Sequence, residues 1–220
     1  MSYVIKENDL KFHNNFKNSL DDFIFPDTII SITFGVCFNQ NIDKVKLPDS
    51  LQNITFGNHF NQVLDNVKFP NSLKSITFGS LFDQNIDKVK FPNSLQILTF
   101  GDFFDRNIDK VKFPESLQSI TFGLWFNQNI DKISFPDSFK VIKFENYQNN
   151  LLNEKTKEIM IKYLDEPMKN LPLCLERIIF LKIDYSVNEI DEFIDCRIIQ
   201  RDENIKMSKI PFGCEIIHEL

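Results

Sequence analysis

The sequence predicts a mainly β protein, a right-handed β-solenoid of stacked 22-residue coils whose strands run parallel. Three observations predict it: Gly and Pro recur at a fixed spacing, Phe fills equivalent positions in successive coils, and short segments alternate apolar with polar residues. A constant period of this length is typical of solenoids, in which each repeat buries its apolar side chains against its neighbours. A short α-helical insertion and a C-terminal cap complete the predicted chain.

Glycine and proline carry the period. Both series keep a spacing of 22 residues, at Gly35, Gly57, Gly79, Gly101 and Gly123, and at Pro26, Pro48, Pro70, Pro92, Pro114 and Pro136. Gly79 ends a predicted strand, where a positive φ or a close backbone approach excludes a Cβ. Pro92 follows a second predicted strand and turns the chain.

Phenylalanine supplies the predicted core. Of the 24 Phe residues, 18 fall into three columns of equivalent positions. The first column is Phe12, Phe34, Phe56, Phe78, Phe100, Phe122 and Phe144; the second is Phe16, Phe38, Phe60, Phe82, Phe104 and Phe126; the third is Phe25, Leu47, Phe69, Phe91, Phe113 and Phe135. Rings stacked one above another gain contact energy beyond the area they bury.

Two segments of each coil alternate as strands do. In "SLKSITF" the side chains of Ile76 and Phe78 are predicted to point inward and Thr77 outward. In "DKVKFP" the inward side chains are Val89 and Phe91. Neighbouring coils are therefore expected to pair both segments in parallel.

Polar columns mark the outer surface. One Asp per coil, at Asp43, Asp65, Asp87, Asp109 and Asp131, predicts a solvated charged corner beside a lysine column. A calcium-binding ladder is the weaker interpretation, because such β-rolls use several carboxylates in each turn. A glutamine column, Gln40, Gln62, Gln84 and Gln128, is expected to form an amide ladder.

The repeat unit resembles the FNIP repeat. Phe38-Asn39-Gln40, Phe60-Asn61-Gln62 and Phe126-Asn127-Gln128 carry the core of that motif, although the Pro that usually follows is replaced, for example by Asn41 and Val63. The resemblance implies a leucine-rich-repeat-like fold over residues 12–148. It also implies an origin in social amoebae or in the giant viruses that infect amoebae.

The ends of the chain depart from the repeat. Residues 1–11 are predicted to be an N-terminal cap, 12–148 the solenoid and 149–220 a C-terminal cap. Within the C-terminal cap, apolar spacing predicts a helix over about 151–164. The segment "LPLCLERIIF" (171–180) aligns without gaps to "LPDSLQNITF" and is predicted to be one more, divergent repeat.

Composition narrows the classes of function. The formal charge of −6 disfavours a nucleic-acid-binding protein. The N-terminus has no apolar stretch of signal-peptide length, and no apolar segment approaches the length of a membrane span. Four scattered cysteines indicate reduced thiols, so a cytoplasmic protein is expected, in the host cytoplasm if the chain is viral. No catalytic, cofactor-binding or metal-ligating residue is predicted, and an enzyme is not expected.

One variable column is the candidate site. Cys37, His59, Leu81, Phe103, Trp125 and Tyr147 follow one another at the second position after Gly, or at its equivalent. Leu81, Phe103, Trp125 and Tyr147 are either contacts for a protein partner or side chains that fill the edge of the core. The predicted function is a non-enzymatic scaffold for protein–protein interaction, with host-cell proteins as candidate partners of unknown identity. The alternative is a structural, self-assembling protein, so a homo-oligomer stays open.

Overall fold

The computed structural model describes residues 2–128, 130 and 133–147, together with 177–182, 198–199 and 216–217. Every regular element in these residues is a β-strand. The strands are β1 (Tyr3–Lys6), β2 (Asp9–Phe12), β3 (Ser31–Thr33), β4 (Asn53–Thr55), β5 (Ser75–Thr77), β6 (Ile97–Thr99), β7 (Ser119–Phe122), β8 (Val141–Tyr147), β9 (Arg177–Lys182), β10 (Ile198–Ile199) and β11 (Ile216–Ile217). The helix expected over 151–164 lies outside the described residues.

The strands stack in chain order, one from each coil. β1 to β9 form a single nine-stranded sheet, and every pairing from β2 to β9 is parallel. Ile54 lies opposite Ile32 on one side and Ile76 on the other, so the register between neighbours is one repeat. The predicted parallel solenoid of 22-residue coils is confirmed.

The N-terminal end of the stack is a hairpin. β1 pairs antiparallel with β2, and Glu7 adopts a left-handed backbone (φ 57°) in the turn between them. The Tyr3 ring packs against Phe12 at a centroid distance of 5.8 Å and meets Phe23 edge-on at 5.3 Å. The hairpin therefore covers the first apolar rings of the core.

Beyond the regular coils, the described part of the chain continues in short strands. β9 pairs in parallel with β8, and Phe180 lies opposite Phe144. β10 and β11 form a separate two-stranded parallel sheet. The other residues of the predicted C-terminal cap lie outside the described ranges.

The Phe columns form continuous buried files. Side chains of the first two columns, through Phe126, are at most 7% exposed. Within one coil, the Phe78 and Phe82 rings stack at 3.9 Å. Between coils, the Phe78 ring lies 5.4 Å from Phe56 of the preceding coil, and the Phe82 ring lies 6.2 Å from Phe60. The predicted phenylalanine core is confirmed for these residues.

The prediction of a second strand in each coil is wrong. The segment containing Val89 and Phe91 buries those two side chains, as expected, but forms no strand. Ring centroids on this side are 6.4 Å apart between Phe91 and Phe113, against 5.4 Å between Phe56 and Phe78 near the strands. Backbones must lie about 4.8 Å apart to form a β-ladder. These rings lie farther apart from coil to coil than the rings beside the sheet, and the segments that carry them form no ladder.

The glycine column reflects close approach between coils. A Cβ added to Gly79 would overlap the carbonyl oxygen of Gly57 in the preceding coil. Of the two reasons that the sequence offered, close approach is the correct one, since the Gly79 backbone is not left-handed. Any larger residue here would push two coils apart.

The polar columns bond differently from the prediction. Gln62 Nε2 donates to Asn39 Oδ1 at 2.8 Å, and the Asn61 N–H donates to the same oxygen at 2.9 Å. The expected Gln–Gln ladder is therefore an Asn–Gln ladder, and Gln84 continues it by donating to Asn61 Oδ1 at 2.8 Å. Each coil thereby bonds its outer edge to the next.

The aspartate column is built into turns. The Asp87 N–H donates to Asn85 Oδ1 at 2.7 Å, and Asn85 Nδ2 donates to Asp87 Oδ2 at 3.3 Å. Asp87 is half-buried, and its Oδ1 is inaccessible and has no donor among the described residues. At the corner predicted to be solvated and charged, Asp87 is therefore only partly exposed, and its carboxylate helps to shape the turn.

Candidate partner-binding surface

The candidate residues lie in a turn whose backbone is hydrogen-bonded to the same turn of the preceding coil. Leu81, Phe103 and Trp125 occupy this turn in three successive coils. The Phe103 N–H donates to the Ser80 carbonyl at 2.9 Å, and the Trp125 N–H donates to the Asp102 carbonyl at 2.8 Å. Because each backbone N–H bonds to the preceding coil, these side chains are carried on a fixed support.

The side chains of the three residues project into solvent. Leu81 is 42% exposed, Phe103 48% and Trp125 50%. About half of each side chain is therefore covered, whereas the next residue along, such as Phe104, is fully buried. We call Leu81, Phe103 and Trp125 the apolar stripe. Tyr147 belongs to β8, and its side chain lies outside the described structure.

The two aromatic rings of the stripe lie nearly parallel. The Phe103 and Trp125 rings lie 6.4 Å apart between centroids, with their planes 14° from parallel. The buried file directly beneath it keeps a similar step, 6.1 Å from Phe82 to Phe104 and 6.2 Å from Phe104 to Phe126. The spacing of the two exposed rings is therefore close to that of the buried rings.

Acidic groups border the stripe. Asp102 precedes Phe103 in the turn, and Asp83 and Asp105 lie two positions beyond Leu81 and Phe103. Arg106 is the cation on this border, and its Nη2 contacts Asp83 Oδ2 at 2.7 Å. Three carboxylates against one guanidinium leave the border negative.

Other exposed apolar side chains lie in different columns. They are Ile24 (90%), Val4 (54%), Val63 (47%), Ile97 (44%) and Ile5 (43%). Sequence reasoning did not single them out. For Ile97 the signal was present, because it replaces the polar residue that β5 and β7 carry at this position, Ser75 and Ser119.

The described residues offer little for other kinds of site. They hold no group of three or more His, Cys, Asp or Glu side chains placed to share a metal ion. Within the same ranges, no helix has the length and apolar content to cross a membrane. Cys37 is a half-buried free thiol.

Parallel strands one repeat apart, a core of identical side chains and an exposed stripe define a leucine-rich-repeat-like solenoid. The model for the BspA-type leucine-rich repeat region matches residues 10–60 and 31–153, with six copies. The chain belongs to this family.

A similar solved structure is described as "the crystal structure of CroV588 a novel circular LRR protein structure". It is 27% identical, with a TM-score of 0.47, and the match covers 82% of this chain. The matched region is 31% of that protein, so the chain spans about a third of its length. Among curated proteins, none matches the sequence.

Proposed function

We propose that the protein is a non-enzymatic scaffold that binds another protein through the apolar stripe. The observation that carries the proposal is the half-exposure of three large apolar side chains in successive coils. Monomeric proteins commonly leave single apolar residues exposed, whereas contiguous patches mark interaction sites. The fixed turn backbone beneath the stripe lowers the entropy lost on binding.

The resemblance to FNIP repeats supports a more specific proposal about the partner. An FNIP-type chain from an amoeba, or from a giant virus of amoebae, meets its partner in the amoebal cytoplasm. A host-cell protein is then the expected partner. Trp125 is the expected anchor, because Trp is enriched among the residues that dominate binding energy at interfaces.

Affinity capture from amoebal lysate tests the proposal. The wild type is compared with a Phe103→Ser/Trp125→Ser double variant, and captured proteins are quantified by mass spectrometry. A matched control, Val4→Ser/Ile24→Ser, removes two other exposed apolar side chains. The proposal expects a protein that is lost with the stripe variant and retained with the control. Identical capture by all three proteins would reject it.

Self-assembly is the competing function, because a second copy of the chain would also cover the stripe. Light scattering over a wide concentration range separates the two. The scaffold proposal expects one mass at every concentration. A mass that rises with concentration in the wild type, and not in the stripe variant, would favour self-assembly.

A further inference from the structure

We infer that the occupant of the apolar stripe is an extended peptide segment with apolar side chains at every second position and basic residues beside them. This inference rests on the proposed function and names the kind of partner. Two features carry it, the 6.4 Å distance between the Phe103 and Trp125 rings and the excess of carboxylates over cations next to the stripe.

The step favours a β-extended ligand. An extended chain rises about 3.2–3.4 Å per residue, so side chains on one face recur every ~6.4–6.8 Å. Phe103 and Trp125 are 6.4 Å apart between ring centroids, and the file beneath them has steps of 6.1 and 6.2 Å. A segment lying along the stack therefore places residues i, i+2 and i+4 over the three members of the stripe.

Other peptide conformations fit the step poorly. In an α-helix, residues i and i+4 are separated by about 6.0 Å along the axis and by about 40° around it. The side chain of residue i+8 therefore points about 80° away from that of residue i and does not face the stripe. A polyproline II helix repeats after about 9.3 Å. Of the regular conformations, only the extended one keeps three side chains in line at this spacing.

The acidic residues next to the stripe favour a ligand whose flanking residues are basic. Asp102 precedes Phe103 in the chain, and Asp83 and Asp105 follow Leu81 and Phe103 by two positions. Asp83 is bound by Arg106, whereas Asp105 Oδ1 accepts hydrogen bonds from neutral donors, the Asn127 N–H and Gln128 Nε2, both at 2.8 Å. The carboxylate of Asp105 therefore keeps its charge available to a basic residue of the ligand, and acidic flanks are repelled.

The contact is made by side chains alone. The stripe's backbone N–H groups are already bonded to the preceding coil, for example that of Leu81 to the Asn58 carbonyl at 2.9 Å. The ligand therefore does not extend the sheet. Its register is set by which of its side chains meet the stripe.

Three synthetic nonapeptides test the inference. The first, Lys-Ser-Leu-Ser-Phe-Ser-Phe-Ser-Lys, has alternating apolar residues and basic ends. The second, Lys-Ser-Ser-Leu-Phe-Phe-Ser-Ser-Lys, has the same composition with the apolar residues adjacent. The third is the first with Glu replacing Lys. Each is fluorescein-labelled and titrated by anisotropy, and the unlabelled first peptide is followed through the emission of Trp125, the single Trp of the chain.

The alternating basic peptide is expected to bind at least ~5-fold more tightly than the other two and to shift Trp125 emission to shorter wavelength. Trp125→Ala and Phe103→Ala should each weaken it at least ~10-fold, whereas Ile24→Ser should leave it within ~2-fold. The inference is overturned by equal affinity for the adjacent-apolar or acidic peptide, or by no binding of the alternating basic peptide at millimolar concentration.

Failure of this inference and failure of the proposed function give different results. If no nonapeptide binds but lysate capture depends on the stripe, the scaffold proposal stands and its partner is a folded surface. If capture is the same with and without the stripe, both are wrong.

Discussion

Two adjacent phenylalanines offer the sharpest test of which side chains hold the solenoid together. Phe104 is fully buried, and its ring stacks on Phe100 at 3.9 Å and on the equivalent rings of both neighbouring coils. Phe103, the preceding residue, is 48% exposed. We predict that Phe104→Ala greatly lowers the free energy of unfolding, whereas Phe103→Ala lowers it much less.

The magnitudes follow from burial. A buried Phe removes about 150 Å² or more from water, which at ~25 cal/mol per Å² contributes about 4 kcal/mol. Phe→Ala in a packed core costs about 3–5 kcal/mol, and three ring contacts place Phe104 toward the upper end. For Phe103, half of that area gives a loss of about 1–2 kcal/mol. The two variants should therefore differ by at least ~2 kcal/mol.

Urea denaturation followed by far-UV circular dichroism measures the difference. Because the two substitutions are chemically identical and one residue apart, helix or strand propensity cannot explain unequal effects. Equal losses of stability would refute the assignment of one ring to the core and the other to the surface. A larger loss for Phe103→Ala would refute it as firmly.

Three further predictions concern contacts between coils. Gly79→Ala drives a methyl group into the carbonyl of the preceding coil and should lower the free energy of unfolding by at least ~2 kcal/mol in urea titrations. Asn61→Ala removes the acceptor for the Asp83 N–H and should cost about 1–3 kcal/mol by the same assay. Deleting residues 75–96, one whole coil, should leave a cooperative thermal transition, because solenoid stability is a sum over neighbouring repeats. Deleting 75–85, half a coil, should abolish it.

The repeat period revealed the architecture because identical positions must stack. One fixed spacing of 22 residues determines the strand register, and the Phe columns identify the largest side chains of the core. Neither conclusion requires the detailed path of the coil. A shift in the register between neighbouring coils would place unlike side chains opposite one another and disrupt all the stacked Phe columns.

The second strand was mispredicted because alternation reports burial and not spacing. Val89 and Phe91 alternate with exposed lysines as a strand would. Whether such a segment forms a ladder depends on how far apart the backbones of neighbouring coils lie on that side of the stack. No local pattern encodes that distance.

The orientation of the candidate site was equally hidden from the sequence. Phe103 and Phe104 are identical residues at neighbouring positions, and one is exposed while the other is buried. Both adjoin the turn after Gly101, where strand alternation no longer holds, so periodicity cannot assign them to inside or outside. Position within the turn decides which ring enters the core.

Cysteine cross-linking measures the stacking of coils most directly. In a chain whose four native cysteines are replaced by Ser, Thr55→Cys/Thr77→Cys places thiols on in-register partners of β4 and β5. Adjacent strands lie about 4.8 Å apart, within the ~4.4–6.8 Å between Cα atoms that a disulfide spans. Mild oxidation should link this pair within the monomer and leave Thr55→Cys/Ser75→Cys, two residues out of register, unlinked. Efficient linking of the second pair, or none of the first, would contradict in-register stacking of the 22-residue coils.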